Sequence, residues 1–503
     1  MEAAGAVTAQ TNSLAIVSFL LYLLIIIAIG LLTAKFSSLG LTEFFLGGRK
    51  MKEFIVGLSA VVSGRSAWLL VGVTGMAFTI GAPAVWAVTG YITAEVFLFA
   101  FVGKRLRRYT SRMDNITLPD FFESRFKDKS NLLRIISVLI ILIFMISYVS
   151  AQFTAGGKAF STSFGVSEST GVLLTALIVL VYTILGGFLA VSLTDMIQAL
   201  FMIVALLVLP AIAISHAGGW SEVMTVLRDF NPKFLDPFAF SLGGIIGFLG
   251  IGLGSPGNPH ILVRYMSIAD PRALRKSCVI GTVWNVLMAW GAVFIGLVGR
   301  AFYLRPENLP GQDPENLYPL LASAHLHPFI MGIVVASIMA AIMSTADSQL
   351  LVAASGVVRD IYQKIIAKKR SLQQKRLVFL SRIVVLLMVI AALLLGKIAS
   401  KYVFWLVLFA WGGLGASFGP TLLLSLFWKK TTKPGIIAGL VSGTTVVIVW
   451  SQVPGLKSLM YELVPAFIVS TLLTVVISLV TSPPGEAEEE LKAISARYRR
   501  HSA

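Results

Sequence analysis

LAIVSFLLYLLIIIAIGLLTA, residues 14 to 34, carries no charged side chain. A run of this length crosses the hydrocarbon core of a bilayer as a helix, and in lipid the segment must satisfy its own backbone N–H and C=O groups. The pattern recurs near 14-35, 54-80, 85-102, 133-160, 169-186, 191-214, 239-262, 278-300, 328-361, 377-396, 402-427, 433-452 and 460-481. These make about thirteen spans of roughly twenty residues each. The chain reads as an all-α polytopic membrane protein. Its first run lacks a basic n-region and an A-x-A-like cleavage site, so it counts as a span and not a removable signal. Residues 1-483 form one transmembrane domain, followed by a charged tail, 484-503, that reads as a solvated helix or disordered.

Composition excludes other classes. With 56% hydrophobic and 13% charged residues and a mean hydropathy of +0.85, the chain falls outside the soluble globular range. The net charge of +17 is carried by short loops and not by a groove for phosphates, so nucleic acid is not the partner. A single cysteine, Cys278, rules out an internal disulfide, and no CxxC pair, HExxH helix or phosphate-binding G-x-x-x-x-G-K-[ST] is present. His325 and His327, spaced H-x-H, read as a chance pair. No nucleophile, base and acid set converges, which argues against an enzyme.

Orientation follows from the loops. The 103-132 segment holds Lys104, Arg105, Arg107, Arg108, Arg112, Arg125, Lys127 and Lys129. Alternate loops after it carry Arg272, Arg275 and Lys276, then Lys364, Lys368, Lys369 and Arg370, then Lys429, Lys430 and Lys433. These face the cytoplasm by the positive-inside rule, whereas 301-327, with Glu307, Asp313 and Glu315, lies outside. An odd span count puts the N-terminus outside and the C-terminus inside.

Two spans look interrupted. SAVVSGRSAWLLVG (59-72) sets Arg65 in apolar sequence, where a charge costs about 2.5–3.5 kcal/mol even on an insertion scale. GGIIGFLGIGLGSPGNPH (243-260) holds glycines and two prolines that a continuous helix does not tolerate. The two lie five spans apart. Interrupted spans in corresponding positions point to a substrate site between inverted repeats, here spans 2-6 (54-214) and 7-11 (239-427). Glycines that merely allow close packing are the competing explanation.

LGGRK (46-50), SAWLLVG (66-72), TLPDFFESRFKDKS (117-130), GGFLAVSLTDMIQA (186-199), GNPHILVRYM (257-266), IMAAIMSTADSQLLVAAS (338-355) and FAWGGLGASFGP (409-420) together resemble the sodium/solute symporter family, most of all its sodium/proline symporter branch. The resemblance runs from about residue 15 to about 480. It implies a LeuT-type 5+5 inverted repeat with an extra first span, in a bacterial-type inner membrane. It also implies sodium-coupled import of a small amino acid or related carboxylate, with proline the default. A solute sensor of the same fold is the alternative.

Matched positions imply a sodium site from the carbonyls of Val62, Arg65 and Ala341 with the hydroxyls of Ser344 and Thr345. Sodium is a hard cation, and unwound-helix carbonyls with hydroxyls suit it. Asp195, with Ser344, Asp347 and Ser348, matches a further cation site of some relatives; pairing of Asp195 with a cytoplasmic Lys or Arg is the other reading. Ser66, Trp68, Tyr148, Ile251, Ser255 and Pro259 match substrate positions. The proline branch carries an aspartate at the position of Gly64, an uncharged residue at that of Arg65, no acid at that of Glu95, and Trp and Tyr at those of Ile251 and Ser255. The pocket has therefore lost two ring walls. Arg65 either pairs with Glu95 or grips a substrate carboxylate.

Overall fold

A computed structural model describes residues 13–368, 372–397 and 402–495. Lys369 and Arg370 of the basic loop, the first residues and 496–503 of the tail lie outside the described residues. Among the described residues, nine helices are long and apolar enough to cross a bilayer, or ten if the bent pair below counts as one. These described residues are all-helical, with nine to ten such spans.

The first helix, α1 (Ser13–Ser37), is followed by α2 (Glu53–Ser63) and α3 (Trp68–Ile80), which meet at 54° across a break of four residues. Next come α4 (Ala82–Arg112), the short α5 (Leu118–Phe126) and α6 (Leu132–Phe164). The segment expected as a loop over 103-132 is thus largely helical. Thr117 explains the restart: its hydroxyl accepts from Asp120 N at 3.0 Å, an N-cap with Pro119 in the first turn.

Helix α7 (Glu168–His216) spans 49 residues, about 73 Å if straight and more than twice the hydrocarbon thickness. It is interrupted at Gly187, whose φ of 57° only glycine adopts readily. A Cβ there would meet Ser37 and Phe44 at 3.0 Å, and the Ser37 hydroxyl donates to the Gly186 carbonyl. The runs expected at 169-186 and 191-214 are the two arms of this element.

The segment α8 (Leu242–Gly257), whose second half is 3₁₀, leads through extended Asn258 into α9 (Pro259–Ser267). Then follow α10 (Pro271–Phe302), α11 (Pro328–Ile366), α12 (Gln374–Gly396), α13 (Val403–Phe427), α14 (Lys433–Gln452), α15 (Leu463–Leu479) and α16 (Ala487–Ser495). Burial sorts them. In the most apolar stretch of α11 and of α13, 83% of residues are buried, against 33% for α1 and α14. The centre is α11 and α13, and the interrupted segments pack against them.

The glycines of α8 also pack. A Cβ on Gly252 would lie 2.2 Å from the Gly90 carbonyl of α4, so these two backbones touch. Close approach and interruption coexist in one segment.

The tail differs from expectation. Leu491 and Ile494 are buried, and Glu490 reaches Arg125 at 3.4 Å and Lys127 at 3.0 Å. Glu490, Leu491 and Ile494 share the buried face of α16 and dock it instead of leaving it solvated. Asp128 ties further elements together. Burial opposes its charge, but Lys433 at 2.6 Å and hydrogen bonds from Ser130 and Leu133 N bring its carboxyl down to about 2.

Candidate ion and substrate site

Between α2 and α3 the backbone leaves the helix, and Ser66 takes a φ of 51°. A left-handed non-glycine residue persists only where its surroundings fix it. Here the freed donors have specific partners: Ala67 N donates to the Gln152 side-chain oxygen at 3.0 Å, and Trp68 N to Ser66 Oγ at 3.1 Å. Carbonyls at the break face α11, that of Val62 also accepting from Arg65 N at 3.0 Å. Thr345 Oγ1 donates to the Ser63 carbonyl at 3.0 Å, and Ser344 Oγ lies 3.4 Å from the Val62 carbonyl and 3.1 Å from that of Ala341. A hard cation held at about 2.4 Å sets neighbouring oxygens about 3.4 Å apart, so this spacing suits one. Val62, Ala341, Ser344 and Thr345 are brought together as the sequence suggests. The Arg65 carbonyl instead accepts Leu69 N at 3.1 Å, and Ser63, which sequence reasoning passed over, supplies the carbonyl facing Thr345.

Arg65 turns toward α4. Its guanidinium forms an ion pair with Glu95, both groups buried, and lies 3.7 Å above the Tyr91 ring. Asn285 Nδ2 donates to the other Glu95 oxygen at 2.7 Å. A Cβ on Gly64 would stand 3.3 Å from Glu95 Oε1. An aspartate in place of Gly64 would set a second carboxylate against Glu95, so the glycine is compatible with the ion pair where an acid is not.

One helix turn along α2 lies a second buried charge cluster. Asp195 of α7 accepts from Ser59, from Ser63 at 3.3 Å and from Arg264 of α9 at 3.2 Å. Arg264 also donates to Ser348, to Ser59 at 3.1 Å and to the His260 carbonyl at 2.7 Å. Ser348 Oγ donates to Asp347 at 3.0 Å. The base beside Asp195 is therefore Arg264 of the helix α9, and not one from the basic loops. Among the described residues no basic side chain lies within 4.0 Å of Asp347, and one oxygen of each aspartate is buried without a partner. Two carboxyl groups thus face one guanidinium, and among these residues Asp347 has no base of its own.

The expected substrate residues divide. Tyr148 Oη lies 3.4 Å from Ser66 Oγ, and Trp68 stacks on Phe404 of α13 with centroids 5.6 Å apart. Ser255 is buried with an unpartnered hydroxyl, and the Ile251 carbonyl accepts from Trp411 Nε1 at 2.8 Å. Pro259 opens on another cavity, beside Thr117, Leu262 and Asp360.

Sequence reasoning also missed Gln152, Asn285 and Arg264. Arg264 had a usable signal, a charge in apolar sequence like that at Arg65; the two amides had none, since buried Asn and Gln are unmarked in a single sequence. The two histidines do not act together: His325 faces His216 at 3.1 Å, while His327 accepts Phe329 N at 3.3 Å. Among the described residues no three His, Cys, Asp or Glu side chains gather as metal ligands.

Comparison with known proteins gives one consistent picture. Residues 44–443 match the model of the sodium:solute symporter family. The high-affinity proline transporter PutP of Bacillus subtilis (strain 168) is 40% identical over 449 residues, covering 89% of this chain and 94% of the relative. The osmoregulated proline transporter OpuE of the same organism is 37% identical, covering 95% and 96%. A sodium/proline symporter of Staphylococcus aureus (strain JH9) is 39% identical, covering 92% of each. In structure the chain is similar to a Na⁺-coupled sialic acid symporter solved in a substrate-bound outward-open state. That match has a TM-score of 0.79 at 19% identity and covers 94% of this chain and 99% of that one.

Proposed function

Because the chain belongs to the sodium:solute symporter family, we propose that it imports proline or a similarly small amino or organic acid. It is a sodium-coupled symporter, a multi-pass membrane transporter and not an enzyme. The observation that carries the proline reading is the 37–40% identity, over nine-tenths of the chain or so, to three proteins named for proline transport. Ile251 and Ser255 stand where the proline branch has rings, so the pocket is less aromatic and the acceptable solute need not be a ring.

In this reading sodium sits among the oxygens of Val62, Ala341, Ser344 and Thr345, with the Ser63 carbonyl beside them and the Arg65 carbonyl at the break. A second cation takes up the unbalanced charge of Asp195 and Asp347 near Ser348. Ser66, Trp68 and Tyr148 hold the solute, with Ile251, Ser255 and Pro259 on the facing segment. The fold is a LeuT-type arrangement of thirteen spans, with spans 2 and 7 broken and repeats at 54-214 and 239-427. Residues 1-483 are the transport domain and 484-503 a cytoplasmic tail, with the N-terminus outside a bacterial-type inner membrane.

One sodium ion moving inward through 100 mV releases about 2.3 kcal/mol, enough for a solute gradient of roughly fiftyfold. Coupling requires only that sodium favours the state that binds solute, a reciprocal linkage. Counterflow of labelled proline in proteoliposomes tests the assignment. Sodium-dependent exchange is expected, and Thr345→Ala should raise the sodium concentration needed while leaving the protein folded. Exchange of other small carboxylates but not proline would overturn the substrate; no exchange of any solute would favour a sensor.

A further inference from the structure

Three arginines crowd the last turns of α4. Arg108 and Arg112 are four residues apart and so share a face, a like-charge pairing that destabilises a helix unless something neutralises it. Arg107 lies beneath them, buried, its Nε fixed on the Ile268 carbonyl at 2.7 Å. From the start of α10, Arg272 closes the opposite side of the same pocket, which has a volume of about 610 Å³.

The acids lining the pocket do not balance these charges. Asp270, the one carboxylate among the described residues of its wall, is already engaged by Arg272 through its Nε at 3.0 Å and its backbone N at 2.8 Å. Among the described residues, Arg107 and Arg112 of the wall have no acid within 4.0 Å, so Asp270 balances Arg272 and these two guanidinium groups are left as an excess. Arg49 adds to it from behind, donating to the Thr110 and Asn115 carbonyls at 3.0 and 2.8 Å, with solvent-exposed Asp114 at 3.8 Å as its acid. Besides Ser111, the remaining wall is apolar, made by Ala269, Pro271, Ala493 and Ile494 of α16, whose carbonyl Arg108 holds at 2.7 Å.

We propose that this pocket binds a phosphate-bearing anion through Arg107, Arg108, Arg112 and Arg272. Planar guanidinium forks match phosphate oxygens in pairs, and one fork here is held in place before any ligand arrives. The apolar wall suits the glycerol and first acyl carbons of a phospholipid. Basic pockets where spans reach the cytoplasmic surface are where anionic headgroups bind. The cytoplasmic placement rests on the orientation proposed above; the pocket's chemistry does not. Free inorganic phosphate offers the same group.

Thermal unfolding of the purified full-length protein in neutral detergent, at constant ionic strength, separates the sources. The probes are dioctanoyl phosphatidylglycerol, dioctanoyl phosphatidylcholine and inorganic phosphate. Stabilisation by phosphatidylglycerol beyond that by phosphatidylcholine supports the lipid headgroup. The Arg112→Gln/Arg272→Gln variant, changed at two exposed residues and so expected to fold, should then need at least about tenfold more lipid for half the effect. Stabilisation by inorganic phosphate alone, with the same loss in the variant, supports the site with a soluble ligand. No stabilisation by either anion, equal stabilisation by the two lipids with none by inorganic phosphate, or identical curves for variant and parent would overturn it. None of these readouts involves transport, so their failure and that of the proline assignment are distinguishable.

Discussion

Arg65 shows how a single residue reorganises its neighbourhood. A guanidinium inside a span must find an acid, and Glu95 and Asn285 from two other helices provide the acceptor and its support, with the Tyr91 ring beneath. Removing one member strands the other, which costs about 3–5 kcal/mol in a buried pair, whereas removing both costs less. Arg65→Ala and Glu95→Ala should each sharply lower thermal stability or sodium-dependent uptake. The double variant should recover part of the loss, giving a favourable coupling energy in a double-mutant cycle. Additive losses would show that Arg65 works through another contact, such as a substrate carboxylate. The Arg65–Glu95 pairing was one of two readings open from sequence; the choice between them depends on which way the break turns the side chain.

At the scale of elements, the terminal helix α16 acts as a strap. Glu490 lies against Arg125, which is fully buried, and Arg125 in turn donates to the Ser425 carbonyl near the end of α13 at 3.1 Å. Tyr109 of α4 reaches the same carboxylate at 3.4 Å. One acid thus joins α4, α5 and α13. Glu490→Gln keeps the shape but leaves Arg125 without a charge partner, and about 3–5 kcal/mol of stability should be lost. Glu488→Gln, which breaks exposed pairs with Lys429 and Lys492, should leave the unfolding temperature unchanged. Equal melting curves for the two variants would show that α16 holds nothing together. The tail's composition alone suggested solvation, because its acids are stabilised by basic residues far away in sequence.

At the scale of the whole molecule, two polar clusters line α11, one turn apart. The oxygens around Ser344 and Thr345 are neutral carbonyls and hydroxyls, while at Asp195 and Asp347 two carboxyl groups face the single guanidinium of Arg264. If both hold cations, Asp195→Asn removes the charge that favours the second, and the Hill coefficient for sodium in uptake should fall toward one. A variant with unchanged cooperativity would leave Asp195 as the partner of Arg264 alone.

Much of this was legible from residues read in order. Apolar runs of bilayer length fixed the all-helical membrane class, because lipid leaves a backbone no other way to satisfy itself. Arg65 and the Gly-Pro stretch marked both interruptions, since charge and helix breakers are local properties. The tertiary structure alone decided what those interruptions meet. Gln152 on Ala67 N, Arg264 on Asp195 and Ser63 facing Thr345 are contacts between residues 69 to 282 positions apart. No local pattern encodes them, because a buried polar group is satisfied by whichever element packing brings to it. The number of spans depends on packing for the same reason: hydropathy registers apolar length, whereas Gly187 and Asn258 set where one helix becomes two.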